Sequence, residues 1–252
     1  AVLVVHTYGL PAEIEKIQKY CFENNLILIE DSAEAHGMKI NNKFCGSFSD
    51  ISTFSFYANK HVTSGEGGIV LTNNENTYQK LIKMRNLDFD NRKRFVHDNF
   101  YWNYRISGLQ AALAYSQIDN VDKIIKKKQQ QGAFYNTLLS GNKDLSIPQK
   151  NFEGTDNNYW VYGIVLKKSG IRDALMTSLY KKGIETRPFF WPLHLQPAYL
   201  LKYSSDNVSL PNAEKLGNDG LYLPMGAHIK KNTQKFIVNS LKSSLKEIKL
   251  SA

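Results

Sequence analysis

The first 31 residues place the strongest constraint on the fold. Residues 2–5 (VLVV) are an unbroken apolar run, Pro11 opens a helical stretch to about residue 23, and residues 26–29 (LILI) form a second apolar run that ends in Glu30-Asp31. Proline suits the first turn of a helix, and Glu13 and Glu15 follow it where acidic side chains favour a helix start. Two short apolar runs joined by a helix read as buried strands of a βαβ unit, and hence as a parallel sheet. In such sheets ligands gather beyond the carboxyl ends of the strands. His6-Thr7-Tyr8 and Asp31-Ser32-Ala33 occupy those ends.

The rest of the chain continues in the same style. Residues 51–57 and 69–72 read as strands, with a glycine-rich break at 65–68 between them. Residues 75–85 read as a helix and 107–131 as one long helix. Residues 140–158 are rich in Gly, Asn, Asp and Ser and read as a linker or loop. A strand is predicted at 159–166 and a helix at 171–182, with Gly183 at the C′ position. A proline-punctuated loop follows at 187–197, and two helices near 212–220 and 232–248 close the chain. The expected architecture is α/β: a mostly parallel-sheet large-domain portion over 1–140 and a small α/β domain over 141–252.

Composition narrows the possible functions. The profile, 42% hydrophobic and 22% charged, is that of a soluble globular protein, and no apolar run is long enough to cross a bilayer. Cys21 and Cys45 lack metal-ligand spacing and read as reduced thiols of a cytoplasmic protein. The net charge is +9, from 32 basic and 23 acidic residues. That charge suits any polyanionic ligand, and no nucleic-acid motif accompanies it. Lys126-Lys127-Lys128 reads as a solvated helix face. Asn91-Arg92-Lys93-Arg94 falls in a loop.

Asp31, Ser55 and Lys60 are the candidate chemistry. A carboxylate and a hydroxyl at two strand ends and a lysine just beyond can meet in one crevice. Pyridoxal phosphate chemistry calls for that trio. A lysine holds the cofactor, a carboxylate keeps the pyridine nitrogen protonated, and hydroxyls with backbone N–H groups hold the phosphate. Taken singly, Asp31 also suits a helix cap, Ser55 an ordinary strand position and Lys60 the surface.

DSAEAHG (31–37), GSFSDISTFSFYANKH (46–61) and SGEGG (64–68) together resemble the DegT/DnrJ/EryC1/StrS sugar aminotransferases, which have fold type I of the pyridoxal-phosphate enzymes (aspartate aminotransferase-like). The resemblance implies that Lys60 is the Schiff-base lysine and that Asp31 pairs with the pyridine nitrogen. It puts Glu34 at the ring hydroxyl, Ala33 against the ring face and Ser55 at the phosphate. Gly65, Gly67 and Gly68 would allow a tight path behind the lysine. One branch of the family carries histidine in place of this lysine and dehydrates its sugar. Lys60 argues for amino transfer instead.

RNLDF (85–89), RKRFVHDN (92–99) and WNYR (102–105) resemble the perosamine-synthase-like members. There the resemblance implies that Asn103 reaches the cofactor phosphate of a neighbouring subunit in a homodimer with shared active sites. Arg92, Lys93 and Arg94 suit a nucleotide diphosphate, or equally a solvated loop. Tyr101 stands where the family commonly has glycine. ETRPFFWPLHLQPAY (185–199) is similar to members that aminate C4 of 4-keto-6-deoxy sugars. Arg187 and His194 are its candidate substrate contacts, His194 with a purely structural role as the alternative. The expected partners are a nucleotide-linked keto-sugar and glutamate, with neither nucleic acid nor membrane. The family usually has a further N-terminal stretch of on the order of a hundred residues, and the motifs here begin almost at residue 1. Residues 1–252 alone are therefore expected to bind the cofactor poorly and to leave apolar sheet surface exposed. The rival readings are a sugar dehydratase, an inactive remnant serving as a binding subunit, and a basic nucleic-acid binder.

Overall fold

A computed structural model describes residues 1–89, 95–203 and 208–250. The elements, in chain order, begin with β1 (Val2–Val5), α1 (Ile14–Glu23), β2 (Leu28–Asp31), β3 (Lys39–Ile40), β4 (Lys43–Phe44), β5 (Ile51–Ser55) and β6 (Gly68–Thr72). They continue with α2 (Glu75–Arg85), α3 (Gly108–Ile118), α4 (Val121–Leu139), β7 (Leu145–Ser146), β8 (Asn151–Phe152), β9 (Thr155–Asp156) and β10 (Tyr162–Leu166). The last are α5 (Arg172–Lys181), β11 (Arg187–Pro188), α6 (Pro197–Tyr203), α7 (Pro211–Asp219), β12 (Gly220–Leu223) and α8 (Lys231–Leu250). Among the described residues, no helix is long and apolar enough to cross a membrane.

The chain forms two compact units, one of residues 1–126 with 151–160, the other of 127–150 with 161–252. In the first, four strands lie in the order β1-β2-β5-β6. β1, β2 and β5 are parallel, with Val5 opposite Asp31 and Asp31 opposite Thr53, and β6 returns antiparallel to β5. The sheet is mostly parallel, as the opening pattern implies. Its core joins Val4, Ile14, Cys21, Leu28, Ala35, Met38, Cys45 and Phe48. Both cysteines are buried and free.

β1 is buried on one face only. Val4 points into the core, whereas Leu3 and Val5 are 62% and 46% exposed. Successive strand side chains face opposite ways, and a two-layer unit covers just one of those faces. Ile69, Val70 and Leu71 of β6 are exposed as well.

The single helix expected over 107–131 is two helices. Ser107 caps α3 with a capping box to Gln110, and the chain breaks at Asp119-Asn120 before α4 runs on to Leu139. Short polar side chains such as Asp and Asn favour caps over helix interiors. The stretch read as a linker holds three short strands, β7 to β9, and β12 and α6 were not visible in the pattern.

The second unit has an antiparallel sheet in the order β11-β12-β10-β7. Tyr162, Ile164 and Leu166 of β10 and Leu221 and Leu223 of β12 are fully or almost fully buried, as are Leu175 and Leu179 of α5 and Leu241 of α8. The later half of α4 belongs here. Gln131 donates to the carbonyls of Gly226 and Ile229, and the Tyr135 hydroxyl donates to Pro224. By contacts, 127–140 therefore falls with the C-terminal unit and 151–160 with the N-terminal one.

Candidate active site

The parallel register of β2 and β5 puts Asp31 and Ser55 on the carboxyl edge of the sheet. Asp31 lies opposite Thr53, and Ser55 is two residues further on the same side of the pleat. Just past β5 the chain turns, with the Lys60 N–H donating to the Tyr57 carbonyl at 3.0 Å. The Ser55 hydroxyl oxygen accepts from the Tyr57 N–H at 3.2 Å, which leaves its own hydrogen to donate.

The glycines behind the lysine do what was expected of them. Gly65 and Gly67 have φ of +81° and +133°, and a Cβ on Gly68 would sit 2.8 Å from the Phe54 carbonyl oxygen. Side chains at these positions would be strained or blocked.

Lys60 turns inward and its side chain is only 9% exposed. Its Nζ stands 3.6 Å from Glu34 Oε1, an ion pair too long for a hydrogen bond. It also lies over the Trp160 ring, 3.9 Å from the centroid. Burial lowers the lysine below its ordinary pKa, against the pull of Glu34 and the Asp31 charge. Burial raises Glu34, against a 2.8 Å hydrogen bond from the Tyr8 N–H and the charge of Lys60. Both partners are thus biased towards their neutral forms, a free amine and a carboxylic acid.

Asp31 Oδ1 accepts from the Ala33 N–H at 3.0 Å, so it does tie its own turn, and no hydrogen bond engages Oδ2 among the described residues. His36, at the far side of this turn, stacks on Phe54 and Phe56 at 5.6 and 6.1 Å. Burial and the Lys60 charge depress it to about 4, so it stays neutral.

The residues present fit pyridoxal phosphate. Asp31 has an uncommitted oxygen for a ring nitrogen, Lys60 is a shielded amine of lowered basicity, and Ser55 has a spare donor for a phosphate. Ala33 is small enough to admit a flat ring beside it. Among the described residues no cluster of His, Cys, Asp and Glu is arranged to hold a metal.

The remaining expected residues make contacts of their own. Asn103 is exposed, bridges to Asn86, and accepts from Arg105 Nε at 3.0 Å. Arg187 and His194 belong to the second unit. Arg187 is exposed on β11 and paired with Glu185. His194 Nε2 lies 3.1 Å from Glu214 Oε1, and that same oxygen accepts from the Leu210 N–H before α7. Arg92, Lys93 and Arg94 lie outside the described residues.

Residues 157–160 are part of the site and were read as linker and strand. The Asn158 N–H donates to Gly9, its side chain donates to the His36 carbonyl at 3.1 Å, and its carbonyl lies 3.2 Å from His61 Nε2. Gly9 has φ +96°, and a Cβ there would come within 2.6 Å of the Tyr159 nitrogen. A Gly after an aromatic at one strand end, and a Tyr-Trp pair after a polar stretch, were the sequence signals available.

The profile of the DegT/DnrJ/EryC1/StrS aminotransferase family matches residues 1–242. The GDP-perosamine synthase of Vibrio cholerae is 38% identical over 248 residues, covering 96% of this chain and 66% of that protein. The GDP-perosamine synthase of Escherichia coli O157:H7 is 36% identical over 226 residues, covering 89% of this chain and 60% of that protein. The crystal structure of S. venezuelae DesV superposes with a TM-score of 0.85 at 28% identity, covering 96% of this chain and 64% of that one. The chain therefore spans 60–66% of the length of these curated relatives.

Proposed function

The chain belongs to the DegT/DnrJ/EryC1/StrS aminotransferase family, and from that premise we propose that it carries the lysine-bearing part of a pyridoxal-phosphate aminotransferase acting on a nucleotide-linked 4-keto-6-deoxyhexose, with glutamate as amino donor. One observation carries the reading. A shielded amine, Lys60, stands 3.6 Å from the Glu34 carboxylate, just beyond the carboxyl edge of a parallel sheet on which Asp31 and Ser55 also lie. The likeness to two GDP-perosamine synthases supports the sugar class.

When bound, pyridoxal phosphate supplies an electron sink that acidifies the carbon bearing the amino group. Asp31 would hold the proton on the ring nitrogen with its uncommitted oxygen, Ser55 would donate to the phosphate, and Ala33 would leave room for the ring. Lys60 would take the proton from the amino-bearing carbon and deliver it to the cofactor carbon on the other side of the amino nitrogen, as general base and then general acid. Its lowered basicity keeps a larger share of the amine free near neutral pH than an exposed lysine would have. Glu34 would meet the ring hydroxyl, as the family resemblance implies, and stands 3.6 Å from the amine.

Arg92, Lys93 and Arg94 are proposed for the nucleotide diphosphate, Arg187 and His194 as further substrate contacts, and Asn103 for a neighbouring subunit's cofactor phosphate in a homodimer. A cytoplasmic setting accords with soluble nucleotide-sugar and glutamate substrates.

The test is 2-oxoglutarate release from glutamate with GDP-, UDP- and dTDP-linked 4-keto-6-deoxy sugars, by the full-length gene product and by its Lys60→Ala variant. The unaltered product should turn over at least one sugar, and Lys60→Ala should fall to background with an unchanged circular-dichroism spectrum. Undiminished turnover in Lys60→Ala removes the lysine from the reaction. A deoxygenated sugar with no amino group would turn the assignment to a dehydratase.

A further inference from the structure

The Trp160 side chain touches the lysine turn twice. Its indole face lies under Lys60 Nζ at 3.9 Å, and its Nε1–H donates at 3.2 Å to the carbonyl of Asn59, the residue before the lysine. Trp160 is itself held firmly, being 4% exposed and stacked parallel on Tyr8 at 6.0 Å. Asn158, two residues earlier, reaches Gly9, the His36 carbonyl and His61, the residue after the lysine. Both neighbours of Lys60 in the chain are therefore tied to one segment about a hundred residues away.

We propose that Trp160 is a positioning residue for Lys60: the indole face carries the amine while the indole N–H pins the backbone that leads to it. The inference rests on the reading of Lys60 as the reactive amine. The physical need is clear. A lysine has four rotatable bonds, and an amine that shuttles a proton between two carbons must stay within hydrogen-bond reach of both. Ordering it costs side-chain entropy, and a pre-placed aromatic face offsets that cost. The other groups facing the amine are Glu34, Asp31 and the neutral ring of His36. Glu34 and Asp31 act through charge from one turn, whereas Trp160 acts from a separate segment.

The test uses the full chain, dialysed free of cofactor, with Trp102→Phe and Trp191→Phe so that Trp160 is the sole indole of the three. Biosynthetic incorporation of mono-, di- and trifluorotryptophan drains the negative face of the ring while keeping its size and its N–H. Lysine 13Cε resonances followed against pH, with Lys60→Arg for assignment, report where Lys60 loses its proton. That midpoint should fall stepwise with fluorination, by about one pH unit in all, a tenfold change in the proton equilibrium. Trp160→Phe keeps a weaker ring face and loses the N–H, so the midpoint should fall only part of the way, as with light fluorination, while the Lys60 amide exchanges faster. Trp160→Leu loses both, and kcat should fall about tenfold with KM for the sugar within twofold.

A midpoint unmoved by fluorination overturns the proposal, and this outcome needs no variant that might fail to fold. A midpoint that responds, with no transaminase activity in the full-length gene product, upholds the positioning and overturns the enzymatic reading. An active chain whose midpoint does not respond overturns the positioning alone.

Discussion

Glu30 and Glu34 stand four residues apart around the carboxyl end of β2, and both are withdrawn from water, at 0% and 6% exposure. Glu30 is fully engaged. It accepts from His6 Nε2 at 3.1 Å, the Gly46 N–H at 2.6 Å, the Phe48 N–H at 2.9 Å and the Ser49 hydroxyl at 2.8 Å. His6 Nδ1 accepts from the Ala12 N–H, which leaves Nε2 as the nitrogen that donates. Burial pushes the Glu30 carboxyl up, yet these four bonds together hold it below its ordinary value. Glu34 has one backbone N–H and a distant ammonium, and burial wins. The contrast separates a carboxylate that builds the fold from one poised for chemistry. A buried charge with every lone pair met is locked, whereas one left partly unmet can change state when a ligand or a proton arrives.

The largest effect that tests this contrast is expected on Glu30. Glu30→Ala strands the Gly46 and Phe48 N–H groups and a buried histidine, while the Ser49 hydroxyl keeps the Ile51 carbonyl, and should cost about 3–5 kcal/mol in urea unfolding, the range for breaking a buried pair. A loss below about 1 kcal/mol would mean that solvent reaches the cluster and that Glu30 is no more structural than Glu34.

Glu34→Gln is the sharper partner experiment. Glutamine keeps an acceptor for the Tyr8 N–H, so stability should change by less than about 1 kcal/mol. The Lys60 amine loses a stabilising charge, so its proton should leave at a lower pH by 13C titration. A large loss of stability with no movement of Lys60 would reverse the roles given to the two acids.

The smallest effect is in the pH dependence of stability, where the two acids have opposite signs. Glu30 is depressed in the folded chain, so its contribution is present above the ordinary carboxylate range and is lost as pH falls through its folded value. Glu34 is raised, so the folded chain keeps a proton the unfolded chain has released. Stability then falls as pH rises between the ordinary carboxylate value and the raised one. Denaturation midpoints measured from about pH 3 to 7 should lose the acid limb in Glu30→Gln and the upper limb in Glu34→Gln. Identical profiles in the two variants would break the contrast.

Much of the candidate site was legible before any coordinates. Strand ends carry ligands in parallel sheets, and Asp31, Ser55 and Lys60 follow strand patterns short enough to read locally. The four-bonded state of Glu30 was not legible, because the 46–49 loop that meets it is folded back by the β3–β4 hairpin. The break at Asp119-Asn120 was hidden by strong helix formers on either side, and the short strands β7 to β9 lie in a stretch whose composition reads as coil.

Local patterning alone determined the mixed α/β character, the parallel start of the sheet and the glycine-rich break at 65–68, since each depends on neighbours within a few positions, whereas the candidate cofactor residues were named by the resemblance of the motifs that hold them. Only the tertiary structure decided that residues 157–160 return to the lysine, that Trp160 lies beneath its amine, and that one of two buried glutamates is locked while the other is left open. Those outcomes depend on contacts between segments tens of residues to about a hundred apart, and periodicity carries no record of such pairings because chain distance does not limit which surfaces finally meet.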